Sequence, residues 1–60
     1  MDPNETLRQL RRALTDYRQA IDPGQKLHAA DRVVDHAEAL DYWLTDGGFP
    51  PAAWNLAGRE

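Results

Sequence analysis

The sequence of 60 residues contains no cysteine and no serine. The first absence excludes disulfides and thiolate zinc sites, and together they remove the two commonest side-chain nucleophiles. Threonine remains at Thr6, Thr15 and Thr45, none of them placed near a histidine by spacing. No apolar run approaches the roughly 20 residues needed to span a bilayer. The start Met1-Asp2-Pro3-Asn4-Glu5 lacks the basic and apolar regions of a secretory signal. A cytoplasmic setting is the expectation. Positive charge is also short: the formal net charge is -3, which works against nucleic-acid and anionic membrane surfaces. A chain this short makes one domain at most, here taken as a single small helical domain over residues 1–60. Such chains bury little surface and often need a disulfide, a metal or a partner subunit. With disulfides excluded, self-association is the remaining common staple.

What is present begins with one device used twice. In Asp2-Pro3-Asn4-Glu5 and Asp22-Pro23-Gly24-Gln25, Asp can accept from a free backbone N–H. Pro takes the first helical position, and Glu or Gln follows three residues after the Asp as in a capping box. Because proline disfavours helical geometry in the residue before it, the first helix should stop near Ala20 or Ile21 and the second should start at Pro23. About two residues lie between them, which predicts an antiparallel αα-hairpin. Leu7, Leu10, Leu14, Tyr17 and Ile21 recur at 3-4-3-4 spacing as one narrow stripe, opposite Arg8, Arg11, Arg12, Thr15 and Arg18. On the second helix Leu27, Ala30, Val33, Val34, Ala37, Leu40 and Leu44 cover a wider arc, with Ala29 and Trp43 at one margin. His28, Asp31, Arg32, Asp35 and Glu38 form its polar side. Ala30 and Ala37 are small enough to admit a neighbouring helix. The first helix alone cannot cover so wide an arc, so the tail, a second copy or a foreign partner must cover the rest.

Both tryptophans and the only phenylalanine fall between Leu40 and Trp54, beside Gly47-Gly48 and Pro50-Pro51. Gly47 suits a left-handed helix stop near Thr45 or Asp46, and the two prolines forbid continuation. Phe49 and Trp54 then ride on a stiff segment that loses little entropy on docking. Residues 55–60 have only Leu56 to anchor them and are expected to fray. The run Leu40-Asp41-Tyr42-Trp43-Leu44, then Gly47-Gly48-Phe49-Pro50, then Trp54, resembles the C-terminal signature of short uncharacterised helical proteins of actinobacteria and their phages. That resemblance covers about fifteen of the sixty residues. It implies a source and a small helical fold, and brings no activity with it.

Four groups of side chains invite a functional reading. His28, Asp31 and Asp35 share one helix face at i, i+3 and i+7, with His36 a quarter turn away, and are of metal-ligand type. Two helical turns span roughly 10 Å, too far for one ion to reach the whole set. They read better as a solvated face with local pairs such as Arg32–His36 and His28–Arg32–Asp35; no metal or cofactor is expected. Arg8, Arg11, Arg12 and Arg18 offer a nucleic-acid footprint, but residues 1–20 are net only +1 while residues 21–46 are net -4. Opposite bias on the two helices favours their antiparallel pairing or a contact between copies. Asp41 is the one carboxylate on the apolar arc, expected at the seam's edge bonding to Tyr17, an arginine or a tail N–H such as the Trp54 indole. Gly47-Gly48 is no phosphate loop, since no strand precedes it and no Lys-Ser/Thr follows. Trp43, Phe49 and Trp54 either cap the hairpin's own core or stay exposed as anchors for a partner.

The sequence therefore predicts an all-α fold. An antiparallel two-helix hairpin of about 3–21 and 23–46 with an ordered aromatic tail is expected to dimerise into a four-helix bundle. The expected role is that of a small protein–protein interaction protein, not an enzyme, with a phage-encoded modulator of a host protein as its candidate form. Its expected contact residues are Val33, Leu40, Trp43, Leu44, Phe49 and Trp54. The alternative is a nucleic-acid accessory protein using the Arg8, Arg11, Arg12 and Arg18 face.

Overall fold

The computed structural model describes residues 1–54; the expected fraying of residues 55–60 lies outside them. Two α-helices, α1 (Pro3–Gln19) and α2 (Pro23–Thr45), pack against each other as a hairpin, followed by a short 3-10 turn at Ala52–Trp54. The all-α hairpin expected from the paired caps is what forms. α1 ends two residues short of the expected limit: Ala20 is already extended (ψ 138°), and the connection is Ala20, Ile21 and Asp22.

Both N-termini are capped by the aspartates, with a difference in the reciprocal half. Asp2 Oδ1 accepts from Asn4 N–H at 3.0 Å and Glu5 N–H at 3.4 Å, and Asp22 Oδ1 accepts from Gln25 N–H at 2.8 Å. Such a cap contributes about 1 kcal/mol. The return bond of a capping box is not made to the aspartate N–H at either site. Gln25 Oε1 accepts from Ile21 N–H instead, at 3.3 Å, one residue earlier. Glu5 turns along its own helix, accepting from Gln9 Nε2 at 2.8 Å and pairing with Arg8. The Gln9 bond first, and Arg8 second, hold the Glu5 carboxyl below the ordinary glutamate range. A lowered folded value means the contribution is whole above the unfolded glutamate value and is lost as pH falls through the folded one. Gln9→Ala is accordingly expected to raise the Glu5 midpoint in an NMR acid titration; an unmoved midpoint would refute the assignment of cause.

α2 ends in a Schellman motif. Gly48 N–H donates to Trp43 C=O at 2.8 Å and Gly47 N–H to Leu44 C=O at 3.2 Å, with Gly47 at φ 91°. These are the 6→1 and 5→2 bonds that satisfy the last carbonyls of a helix, and the left-handed residue is the glycine that the sequence places there. The Trp43 indole folds over Gly48 and donates Nε1–H to the Phe49 carbonyl at 2.7 Å. The Phe49 ring meets the indole edge-on, centroids 5.6 Å apart and planes at 86°.

From this knot the tail crosses to the start of α1, where Ala52 N–H donates to Asn4 Oδ1 at 2.7 Å. Pro3 and Pro51, each one residue from that bond, are the bulkiest fully enclosed side chains described. The tail is thus a lid on the end of the hairpin where α1 begins and α2 stops. At the opposite end Arg32 Nη1 reaches Asp16 Oδ2 at 2.9 Å, and Lys26 Nζ lies 4.7 Å from the Tyr17 ring centroid. Exposed pairs of these kinds contribute at most about 1 kcal/mol each, but they fix the register of the two helices.

The core between the helices is small: its buried apolar residues are Leu7, Ala13, Ala29 and Leu40. At Ala13 and Ala29 nothing extends beyond Cβ, so the helices can approach closely there. This corrects the expected line of approach along Ala30 and Ala37, which are half-buried and exposed respectively. α2 is turned so that the margin bearing Ala29 and Trp43 meets α1. The turn also brings Arg32 and His36, expected on the solvated side, half-buried onto the seam. Arg32 bonds across the seam to Asp16 rather than along its own helix to His36 or Asp35.

Candidate interaction surface

The turn of α2 makes the hairpin two-sided. One side carries the Asp16–Arg32 pair, Gln9 and His36. The other gathers the apolar residues that the helix–helix contact leaves uncovered. Leu14, Tyr17, Ala30, Val33 and Val34 line a groove of about 310 Å³ that crosses both helices. A second groove, of about 290 Å³, continues it toward the loop past Leu27, Pro23 and Lys26. Ile21, Leu27 and Val34 are 91%, 67% and 55% exposed, and Tyr17 is also exposed. Helical spacing explains the grouping: Leu14 and Tyr17 lie three apart on α1, and Leu27, Ala30 and Val34 follow one another at 3 and 4 on α2. The antiparallel arrangement turns both rows to the same side. Toward the lid, Ala53 of the tail lines a further groove of about 210 Å³ with Asn4, Leu7, Arg8 and Arg11 of α1.

The six expected contact residues do not form one surface. Val33 lines the open groove. Leu40 is 3% exposed between the helices, which corrects its placement as a contact: its side chain is already used by the core. Trp43 is half-buried under the lid with its N–H satisfied by Phe49, so it serves the chain's own cap. Leu44, Phe49 and Trp54 are exposed near the lid end. Tyr17 and Leu27, exposed and apolar, belong to this surface, although spacing alone places them in the core stripes. The signal for them was the unequal width of the two stripes, which says that some apolar positions stay open without saying which.

The remaining candidates are more scattered. His28, Asp31 and Asp35 are exposed, and among the described residues no three His, Asp or Glu side chains are grouped to hold a metal ion. Asp41 is exposed and makes none of the bonds expected of it among the described residues. The tail N–H that finds a partner is that of Ala52, on Asn4 Oδ1, and the indole that finds one is Trp43's. Of the four arginines on the outward side of α1, Arg8 is engaged by Glu5. A further groove of about 450 Å³ beside the lid is lined by Met1, Ala39, Tyr42, Trp43, Asp46 and the two glycines, with Asp46 its single carboxylate and no histidine to partner it. No helix among the described residues is long and apolar enough to cross a membrane. No protein-family model, curated protein or solved structure matches the chain.

Proposed function

We propose that this chain is a small non-catalytic interaction protein that works by presenting the open apolar face of its hairpin to another polypeptide. An actinobacterial or phage-infected cell is the source that the Leu40–Trp54 signature suggests. One observation carries the reading: Tyr17 of α1 and Leu27 and Val34 of α2 lie exposed along two adjoining grooves that cross both helices. Single exposed apolar residues are ordinary, but contiguous patches of this kind mark interaction sites. Removing such a patch from water on a partner contributes roughly 25 cal/mol per Å² before the costs of association.

The test is site-specific photo-crosslinking. A photoreactive amino acid in place of Val34 is expected to form polypeptide adducts in the producing cell, while the same residue in place of Arg12, on the polar side, is expected to form none. Equal yields from both positions, or no adduct from position 34, would overturn the reading. The nucleic-acid alternative uses Arg11, Arg12 and Arg18, with Arg8 already engaged by Glu5. A mobility shift that weakens steeply with salt would favour it instead.

A further inference from the structure

The hairpin measures 39 × 27 × 13 Å, a single layer of helices. Domains are ordinarily built from two packed layers around one core. Here the second layer is missing on the side that carries the apolar grooves. Four observations say what fits there. The open face is made from both helices and has small residues, Ala30 and Ala37, along its α2 half, so another pair of helices can approach it closely. Its outer edge on α1 carries Arg11 and Arg18, seven residues apart; its outer edge on α2 carries Asp31 and Glu38, also seven residues apart. All four are exposed, and none makes a salt bridge among the described residues. The accessible surface is 4607 Å², so the roughly 800 Å² per partner of a standard interface would take about a sixth of it.

Resting on the reading of the face as an interaction surface, we infer that its occupant is a second copy of this chain, with α1 of each copy packed on α2 of the other. The two-fold axis runs parallel to the helices, and both loops lie at the same end of a four-helix bundle. Charge selects this arrangement over its alternative. Rotation about an axis across the helices would set α1 against α1 and bring the Arg11–Arg18 edges together, and the Asp31–Glu38 edges likewise, which is unfavourable twice over. With α1 on α2, Arg18 faces Asp31 and Arg11 faces Glu38. Equal spacing lets both pairs form in one antiparallel register, nearly the register in which Asp16 already meets Arg32 within the hairpin. Tyr17, Leu27 and Val34 are then enclosed, and the lids remain at the far end of the assembly.

Sedimentation equilibrium of the purified chain and its variants tests this. The wild type is expected to be a dimer, and Val34→Glu or Ala37→Glu a monomer that keeps its helical circular dichroism, with dissociation constants raised at least about a hundredfold by burial of an unpaired charge. Arg18→Glu is expected to weaken the dimer about tenfold, since two pairs per dimer are lost. The charge swap Arg18→Glu with Asp31→Arg is expected to restore it, whereas in an α1-on-α1 dimer Arg18→Glu alone would relieve the Arg11–Arg18 repulsion and tighten the association instead of weakening it. A wild-type monomer at millimolar concentration, a dimer indifferent to both glutamate variants, or a swap without rescue would each overturn the inference. The position-34 adduct separates this failure from that of the proposed function. An adduct of twice the chain mass fits the second copy, one to a foreign polypeptide leaves only the function standing, and no adduct removes both.

Discussion

Leu40→Ala is expected to destabilise the hairpin by about 3 kcal/mol, the middle of the range for emptying a buried leucine site. The magnitude matters because a domain of this size has only roughly 3–9 kcal/mol in total. Among the described residues Leu40 is one of four that form the buried core between the helices, and two of the others, Ala13 and Ala29, are alanines with little to contribute by area. Leu7 and Leu40 therefore carry most of the aliphatic burial between the helices. Urea unfolding should show the midpoint falling by a third or more with an unchanged slope. Tyr42→Ala, two residues away on a side chain that is 72% exposed, should leave it nearly unmoved. A Leu40→Ala midpoint close to wild type would mean that the position is not core, and would return Leu40 to the contact surface where its sequence spacing had put it.

That displacement of Leu40 shows which parts of the structure were legible in the sequence. Local signals are legible because their physics is local. Asp22-Pro23 admits few backbone geometries, and Gly47 before Gly48-Phe49-Pro50 does the same for the end of α2. The rotation of α2 about its own axis was not legible. Its apolar arc is wider than one neighbouring helix can cover, so several rotations satisfy the pattern equally. What chooses between them lies outside the pattern: the shortness of Ala13 and Ala29, the Arg32–Asp16 bond across sixteen residues, and the lid that holds Trp43. Long-range polar bonds of this kind have no spacing signature. For the same reason Asn4, an unremarked residue of the first turn, proves to be the anchor of the tail through a bond spanning forty-eight positions. The candidate surface followed the rotation. Once Ala29 and Leu40 face α1, Leu27, Ala30 and Val34 must turn outward together, and Tyr17 is left beside them.

The lid yields the sharpest contrast between neighbouring residues. Gly48→Ala is expected to expel the Trp43 indole, because a Cβ at position 48 would fall among the ring atoms Cε2, Nε1 and Cδ2, well inside van der Waals contact. The ring cannot yield slightly. It is held by its bond to the Phe49 carbonyl and by the Phe49 edge, so relief requires loss of both. The cost should be about 1–3 kcal/mol, typical of overpacking. In a Trp54→Phe background, which leaves Trp43 as the single indole, its emission should shift to the red and its accessibility to quenchers should rise. Helical circular dichroism should hold, since the Schellman bonds are made by backbone atoms. Gly47→Ala provides the converse. A Cβ at position 47 meets open space, but the residue stands at φ 91°, where an L side chain is strained. It should lose about 1 kcal/mol while leaving the indole emission where it was. Two adjacent glycines would then be separated by mechanism, one needed for its backbone angle and the other for the space that an indole occupies. Red-shifted emission in both variants, or in neither, would contradict that division and with it the lid as the place where Trp43 is used.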